Sequence, residues 1–462
     1  MDRDLTKELP IKQIIKLMIP LLLSLLGQQF CILIETRIIG QHCTVAERAG
    51  MNSTGSLSAL TYAIYAGIAL AISIIISQVY GNKNKKKLRE SLNTSIIITG
   101  VLSIAFTVIG LLLVPTLLNL IETPKDIYSY SYEYIMFYFA ALIFQITFQV
   151  NNSIFNAIGN SKSTLKFIIV GNILNIILDY ILIVKCNLGV VGAGIALLVS
   201  NFILSLMSYV VLIKWFKKDK IQVFKKGERF NKHIAYDMIK LVIPSIGFQF
   251  VVSVASMLIQ VQYNKFPNEV IGSIGICSKI ITIVTIATTA IMKSVVAFTG
   301  QNIGAQKVER IKQAHQESII LGMGLMFLVS GIVFIFSKSI ISFFISDPIS
   351  IAVATQYLKI NSIFFILTAI NNVNQAVLRG ASDMDSAIKA LAIASLVKVI
   401  FVYVAVPRYG LIAIYLVIPV FLTASTIAST ILYRIGYWEH KKIKTLHKEH
   451  KTGKYKECKI EA

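Results

Sequence analysis

Long apolar stretches alternate with short polar loops along almost the whole chain. About 20 apolar residues in a helix cross the hydrocarbon core of a bilayer, and twelve stretches reach that length. A water-soluble all-α protein would have to bury every one of these helices on all sides. The pattern therefore predicts an all-α integral membrane protein with twelve transmembrane helices, at residues 14–40, 54–80, 91–115, 128–155, 164–184, 188–213, 235–263, 270–299, 316–345, 350–378, 386–406 and 410–433.

The second half of the chain repeats features of the first at an offset of about half its length. The matching residues are Pro20 with Pro244, Gln78 and Gly81 with Gln301 and Gly304, Pro124 with Pro348, and Gly189 with Gly410. Each half carries six spans, so both halves enter the membrane from the same side, as parallel transporter repeats do. We therefore predict two six-helix lobes that surround a central cavity. The lobes would open this cavity to one side of the membrane and then to the other. The predicted divisions are an N-terminal lobe at 1–213, a basic linker at 214–234, a C-terminal lobe at 235–434 and a basic tail at 435–462.

The charge of the chain supports this topology. Only 15% of the residues are charged, against about 25% in soluble domains, which excludes an ordinary soluble enzyme, a disordered chain and a nucleic-acid-binding module. The net charge is +22, and most of the Lys and Arg residues lie in the two tails and in the loops after even-numbered spans. The positive-inside rule then predicts a multi-pass protein of the cell (inner) membrane with both termini in the cytoplasm. We expect anionic lipid at the basic loops, a monomer, and no nucleic acid partner.

Two carboxylates lie well inside the predicted spans. Glu35 is in the outer third of span 1 and Asp179 is in the outer third of span 5, with Asn175 one helical turn before it. Because a carboxylate in hydrocarbon is costly, it normally faces a cavity, a partner or a proton. Glu35, Asn175 and Asp179 are therefore the candidate cation- or proton-coupling pocket. The alternative is that the two carboxylates are separate residues near the outer headgroups.

Neutral polar residues form a second feature, with helical spacing on spans 4 and 10. These stripes are Gln145, Gln149, Asn152 and Asn156 on span 4, and Thr368, Asn372 and Gln375 on span 10, followed by Arg379. They are candidates for lining the substrate cavity, or else they hydrogen-bond one helix to another. The C-terminal lobe has no counterpart of the acidic pocket but carries Lys279, Lys293 and Lys398 in its spans. Lys279 and Lys293 either face the cavity or extend toward the interface.

The sequence contains no sign of a catalytic or metal centre. It has neither a GxxxxGK[ST] phosphate loop nor an HExxH zinc motif, so we expect no enzyme activity, no metal and no cofactor beyond a coupling ion. The five cysteines include no CxxC pair. Cys43 and Cys186 both fall in predicted outer loops, and their pairing in a disulfide is left open.

Several motifs together resemble the multidrug and toxic compound extrusion (MATE) family, closer to its DinF-like bacterial branch. The matching segments are 34–40 (IETRIIG), the paired QxxG loops 78–81 and 301–304, 171–179 (GNILNIILD), 189–193 (GVVGA) and 378–380 (LRG). The resemblance implies export of cationic or amphipathic compounds in exchange for H+ or Na+, with the coupling ion at Glu35, Asn175 and Asp179. Leu197 stands where span 6 of the family often has a Thr, which removes a Na+ ligand and favours H+.

Other classes of membrane protein fit the sequence less well. A lipid-linked oligosaccharide flippase of the same superfamily is the main alternative, because Lys279, Lys293 and Lys398 would suit a cationic cavity. A channel would need a filter sequence, and a major-facilitator protein would need the GxxxDRxGR pattern in the loop after span 2. A membrane-embedded enzyme would need a catalytic constellation, and we find none.

Overall fold

The structure is a computed structural model that describes residues 4–218 and 230–440. Within these residues the chain forms sixteen α-helices, one π-helical segment and no strand. The helices are α1 (Pro10–His42), α2 (Val45–Ser53), α3 (Gly55–Gly81), α4 (Lys85–Leu120), α5 (Tyr128–Ala157), α6 (Ser161–Asp179), α7 (Gly189–Lys218), α8 (Lys232–Tyr263), α9 (Asn268–Val284), α10 (Ile286–Gly304), α11 (Val308–Ser342), α12 (Pro348–Phe364), α13 (Ile366–Gly380), α14 (Met384–Tyr409), α15 (Leu411–Ile435) and α16 (Tyr437–His440).

Ten of the described helices are long and apolar enough to cross a membrane, and two bent pairs bring the number of spans to twelve. The all-α, twelve-span prediction is therefore confirmed. The predicted linker falls partly, and the predicted tail mostly, on residues 219–229 and 441–462, which lie outside the described residues. The exact lobe boundaries stay predictions.

Spans 8 and 10 are broken, which the hydropathy pattern did not predict. α9 and α10 meet at 45°, and α12 and α13 meet at 52°. At the first break the Thr285 hydroxyl donates to the carbonyl of Ile281, and at the second the Thr368 hydroxyl donates to the carbonyl of Phe365. Hydroxyls that bond to backbone carbonyls compete with the helical ladder and bend helices. Both bends lie in the C-terminal lobe, in the spans directly before and after α11, whereas spans 2 and 4 of the N-terminal lobe are unbroken.

The short helix α2 follows α1 on the face of the bundle away from the termini. Thr44 and Glu47 form a capping box at its N-terminus, in which each side chain accepts a hydrogen bond from the backbone N–H of the other residue. The Glu47 carboxylate also accepts a hydrogen bond from the Val190 amide, 3.3 Å away, at the start of α7. One side chain thus holds the first turns of two helices, and it joins the loop after span 1 to span 6.

Gly189, which precedes Val190, leaves room for this carboxylate. A Cβ there would lie 1.8 Å from Glu47 Oε1, and its backbone φ is +51°. Its counterpart in the repeat, Gly410, has φ +55° but no atom within 4 Å of the Cβ position.

We expect Gly189→Ala to destabilise the protein more than Gly410→Ala. Both substitutions put a Cβ at positive φ, which costs about 1–3 kcal/mol of backbone strain. Only the substitution at Gly189 also displaces Glu47. Thermal unfolding of the two purified variants measures this, and equal shifts would contradict it.

The two lobes meet along α1, α3, α8 and α10. α3 packs against α8 and α10, and α1 packs against α10 and α11. At one contact, Gly67 of α3 touches the backbone of Ile246 of α8 so closely that a Cβ would lie 2.7 Å from the Ile246 nitrogen. The ends of α1 and α15 that lead to the chain termini share one face of the bundle, since the span number is even. We call this face the termini side.

The segment before α1 lies across the C-terminal lobe on this side. Leu5 is fully buried, and its carbonyl accepts from Asn302 Nδ2 at 3.3 Å. Lys307 Nζ donates to the Thr6 carbonyl at 2.8 Å, and an Arg310 Nη donates to the Glu8 carbonyl at 2.7 Å. The beginning of the N-terminal lobe is thereby tied to α10 and α11 of the other lobe.

Candidate functional site

The α6 helix ends at the candidate coupling residues. Asn175 Nδ2 donates to Asp179 Oδ2 at 2.5 Å, one turn apart on the same face. The Asp179 side chain is fully buried, and its other oxygen, Oδ1, has no hydrogen-bond partner among the described residues. The α-helix stops at Asp179, and a π-helical segment, Tyr180–Lys185, continues the span. π-Helical turns are rare and occur frequently at functional sites.

Ser200 of α7 completes this group. Its hydroxyl donates to Asn175 Oδ1 at 2.9 Å and also lies 3.0 Å from the Leu197 carbonyl. Leu197 itself supplies no hydroxyl, as the sequence shows. A hydroxyl of span 6 nevertheless reaches this group, because Ser200 lies one helical turn after Leu197. The signal was present in the sequence, where Ser200 lies three residues after Leu197 on a helix.

Glu35 of α1 lies on the opposite wall of the same region. Helix α1 packs along α6, and the Glu35 carboxylate is close enough to interact electrostatically with Asp179 and with Tyr134 of α5. It is partly buried and forms no hydrogen bond to any residue in the described ranges. The structure therefore brings Glu35, Asn175 and Asp179 together, within one lobe. We call these three residues with Ser200 the acidic pocket.

The two outer cysteines do not form a disulfide. Cys43 and Cys186 are both free thiols, the first buried and the second exposed. The Cys43 sulfur lies within electrostatic range of Asp179 and packs with Ile183 and Ala193. The question that the sequence left open is thus answered in favour of two separate thiols.

The polar stripe of span 4 divides into two pairs. Gln145 and Asn152 are buried, and each has a side-chain oxygen without a hydrogen-bond partner among the described residues. Gln149 is partly buried, and Asn156 accepts from the Thr164 hydroxyl of α6 at 2.8 Å. Asn156 therefore links two helices of one lobe, whereas Gln145 and Asn152 keep acceptors that a ligand could use.

The stripe of span 10 is mainly bound to its own lobe. Thr368 bonds to the carbonyl of Phe365 at the bend, and Gln375 Nε2 donates weakly to the Ala387 carbonyl at 3.4 Å. Asn372 is partly buried, and Gln375 Oε1 is buried without a partner in the described chain. The interhelical role that the sequence left open applies to at least part of this stripe.

The lysines of the C-terminal lobe have different surroundings. Lys279 is exposed, and Lys293 is partly buried in α10. Lys398 Nζ lies 5.2 Å from the centre of the Phe421 ring. In the part of the chain that the structure describes, none of the three forms an ion pair with a carboxylate.

The paired QxxG segments meet on the termini side and join the lobes. Gln78 Nε2 of α3 donates to the Gly380 carbonyl at 3.0 Å and to the Ser382 hydroxyl at 2.9 Å. In the other direction, Gln301 Nε2 of α10 donates to the Ala157 carbonyl at 2.7 Å. The bonds follow the pseudo-twofold relation of the repeat, since each glutamine reaches the end of the polar-stripe span in the other lobe.

The glycines of the same segments permit this close contact. A Cβ on Gly81 would lie 1.9 Å from the Gln301 carbonyl oxygen, and one on Gly304 would lie 1.9 Å from that of Gln78. Only glycine lets the two backbones approach so closely. We call Gln78, Gly81, Gln301 and Gly304 the crossed closure. The described structure is shut at this side of the lobes.

Comparison with known proteins agrees with this architecture. The MatE family model matches the chain twice, over residues 20–181 and 244–404, which fall in the two repeated lobes. Two relatives from Bacillus subtilis (strain 168) are named probable multidrug resistance proteins. YoeA is 25% identical over 79% of this chain and 80% of its own, and YpnP is 26% identical over 82% of this chain and 85% of its own.

A solved structure shows the same fold. An outward-facing multidrug resistance MATE transporter superposes with a TM-score of 0.86 at 20% identity, covering 96% of this chain and 98% of its own. The double match covers more than half of the sequence and follows its internal repeat. The chain therefore belongs to the MatE family of multidrug efflux transporters, as its sequence motifs predicted.

Proposed function

We propose that this protein is a secondary active antiporter. It exports cationic or amphipathic small molecules, such as drugs and toxic compounds, in exchange for H+ or Na+ by alternating access. The observation that carries the proposal is the acidic pocket, in which two carboxylates from different helices lie within electrostatic range of each other inside one lobe, one of them bonded to Asn175. Such intramembrane carboxylates mark ion pathways in transporters. The names of the two Bacillus relatives support multidrug export.

The coupling ion that we favour is H+. Glu35 and Asp179 interact electrostatically in a region that is mostly removed from water, and two neighbouring like charges disfavour simultaneous ionisation. A proton on one carboxylate would relieve this repulsion, and Asp179 Oδ1 has no competing hydrogen bond. Na+ remains the alternative, because Ser200 and Asn175 supply the neutral oxygens that such an ion needs.

The proposed orientation places the termini side in the cytoplasm of the cell (inner) membrane. The crossed closure would then hold the cytoplasmic entrance shut, and opening it would require Gln78 and Gln301 to leave the opposite lobe. The basic loops on this side would lie against anionic lipid. We propose that the protein works as a monomer, without nucleic acid or any cofactor other than the coupling ion.

Efflux of ethidium from pump-deficient bacterial cells tests this function. Cells expressing the protein should lose the dye faster than cells carrying an empty vector. Collapsing the proton gradient with an uncoupler should make the two rates of dye loss equal. Collapsing the sodium gradient alone should leave the rate faster in cells that express the protein. Loss of export only when sodium is removed would reassign the ion. Equal retention in the presence and absence of well-expressed protein would contradict ethidium export.

A further inference from the structure

The C-terminal lobe carries a buried cation that the acidic pocket does not use. Arg379 ends the polar stripe of span 10, and its side chain is only 9% exposed. Its Nε is buried without a hydrogen-bond partner, and the guanidinium forms no hydrogen bond or ion pair with any other residue in the described chain. An unpaired buried charge is costly. Arginine is also a poor candidate for relieving this cost by deprotonation.

The guanidinium points away from the termini side. Its Cα precedes that of Gly380, whose carbonyl accepts from Gln78 of the crossed closure, but its charged end lies over the Phe248 ring of α8, with Cζ 3.9 Å from the ring centre. Phe248 is near the middle of α8, two residues after the Ile246 that touches Gly67 of α3. An arginine near a span end normally extends toward the nearer interface. Arg379 instead reaches toward the membrane centre.

Both lobes face this group. Phe248 and Arg379 belong to the C-terminal lobe, whereas Tyr62 of α3 lies within electrostatic range of the guanidinium from the N-terminal lobe. Tyr62 is half exposed and stacks edge-on against Tyr65. Arg379 is therefore at the interface of the lobes, beyond the crossed closure and on the path that an exported molecule would take in alternating access.

No residue of the described chain accepts a hydrogen bond from the guanidinium that lies over Phe248. The N–H donors of a guanidinium form a planar fork that matches a carboxylate or phosphate. No carboxylate of the C-terminal lobe lies well inside a span, since its acidic residues are at helix ends. The described chain therefore places the Arg379 guanidinium on the Phe248 ring but supplies no carboxylate to pair with it.

We propose that Arg379 is a substrate-recognition residue for an anionic group, so that an amphipathic substrate that also carries a carboxylate, phosphate or sulfonate binds more tightly than the same molecule without that group. This inference rests on the proposed function, whose "amphipathic" class it narrows. Phe248 holds the guanidinium in place, and Tyr62 contacts the same ligand from the other lobe. The ligand supplies the missing counter-charge, and its binding would bring the two lobes together around it.

Binding of two matched dyes to the purified protein tests the proposal. Rhodamine B carries a carboxylate that its ethyl ester lacks, and the two share one fluorophore. Fluorescence polarisation in detergent needs no gradient, so the result does not depend on ion coupling. Wild type should bind rhodamine B about 10- to 100-fold more tightly than the ester, the range expected for a charge-assisted contact in a buried site.

Variants then identify the residue responsible. Arg379→Gln should remove the preference for rhodamine B and leave ester binding unchanged within about twofold. Lys359→Gln is the matched control, because Lys359 also lies over a phenyl ring of this lobe, that of Phe334 at 5.8 Å, but is exposed. It should keep the wild-type preference. Thermal unfolding of each variant checks that the fold is intact.

Three outcomes would overturn the proposal. Wild type could bind both dyes equally, Arg379→Gln could retain the preference, or it could lose both dyes together while remaining folded. The last result would show that Arg379 stabilises the lobe interface but does not recognise the anionic group of the substrate. Failure of the proposed antiport function would appear differently, as intact dye binding without gradient-driven movement in liposomes.

Discussion

Asp179→Asn should abolish gradient-driven export while leaving the protein folded. The substitution keeps the size of the side chain and its place beside Asn175 but removes the charge that would bind and release an ion. Because the coupling step needs that charge, we expect at least a tenfold loss of export rate, about 1.4 kcal/mol or more in transition-state terms. Glu35→Gln should act in the same direction. Export is measured as ethidium efflux from cells at matched expression.

Glu133→Gln is the control for this pair. Glu133 is at the outer end of α5, pairs weakly with the Ser129 hydroxyl at 3.4 Å, and is not one of the four residues of the acidic pocket. Its neutralisation should leave export within about twofold of wild type, as expected for a group outside the machinery. Wild-type export by folded Asp179→Asn protein would rule out the acidic pocket as the coupling site.

Gly304→Ala and Gly81→Ala should weaken the crossed closure and reduce transport. Each new methyl group would meet a backbone carbonyl of the opposite lobe at 1.9 Å. Forced contacts of this kind cost about 1–3 kcal/mol. The clash exists only when the lobes are closed on the termini side, so it should shift the conformational equilibrium about 5- to 150-fold toward opening there.

Distance measurement between spin labels detects this shift. Labels at Lys162 of α6 and Lys389 of α14 are both exposed and lie at the termini-side ends of their helices, in different lobes. Gly100→Ala and Gly272→Ala are controls, since neither position has an atom within 4 Å of the added carbon. Unchanged label distances in Gly304→Ala, together with normal export, would contradict the crossed closure as the contact that holds the termini side shut.

Features that depend on hydropathy and charge could be predicted from the sequence. The twelve spans follow from apolar length alone, and the repeat follows from pairs such as Gly189 and Gly410. Glu35 and Asp179 stood out because carboxylates are rare in hydrocarbon. The sequence also predicted that they lie near each other. In a membrane, the direction of a span and a residue's position along it give the residue's depth, and both carboxylates are in the outer third.

Features that depend on side-chain direction could not be predicted in the same way. The Ser200 hydroxyl joins Asn175 because of the rotation of α7 about its axis, which hydropathy does not determine. The bend near Thr285 coincides with a hydrogen bond from the Thr285 hydroxyl to the Ile281 carbonyl, which hydropathy does not predict. Arg379 looked like the end of a polar stripe, and only the contact with Phe248 shows that its charge points inward.

Ion-driven dye uptake into liposomes tests the central claim most directly. Purified wild-type protein, Asp179→Asn protein and no protein would be compared in vesicles with an acidic interior and no sodium gradient, with ethidium outside. Outward proton flow should drive ethidium into wild-type vesicles at least tenfold faster than into either control. A sodium gradient that works where the proton gradient fails would change the ion but keep the mechanism. Equal uptake by wild type and Asp179→Asn under both gradients would contradict the account.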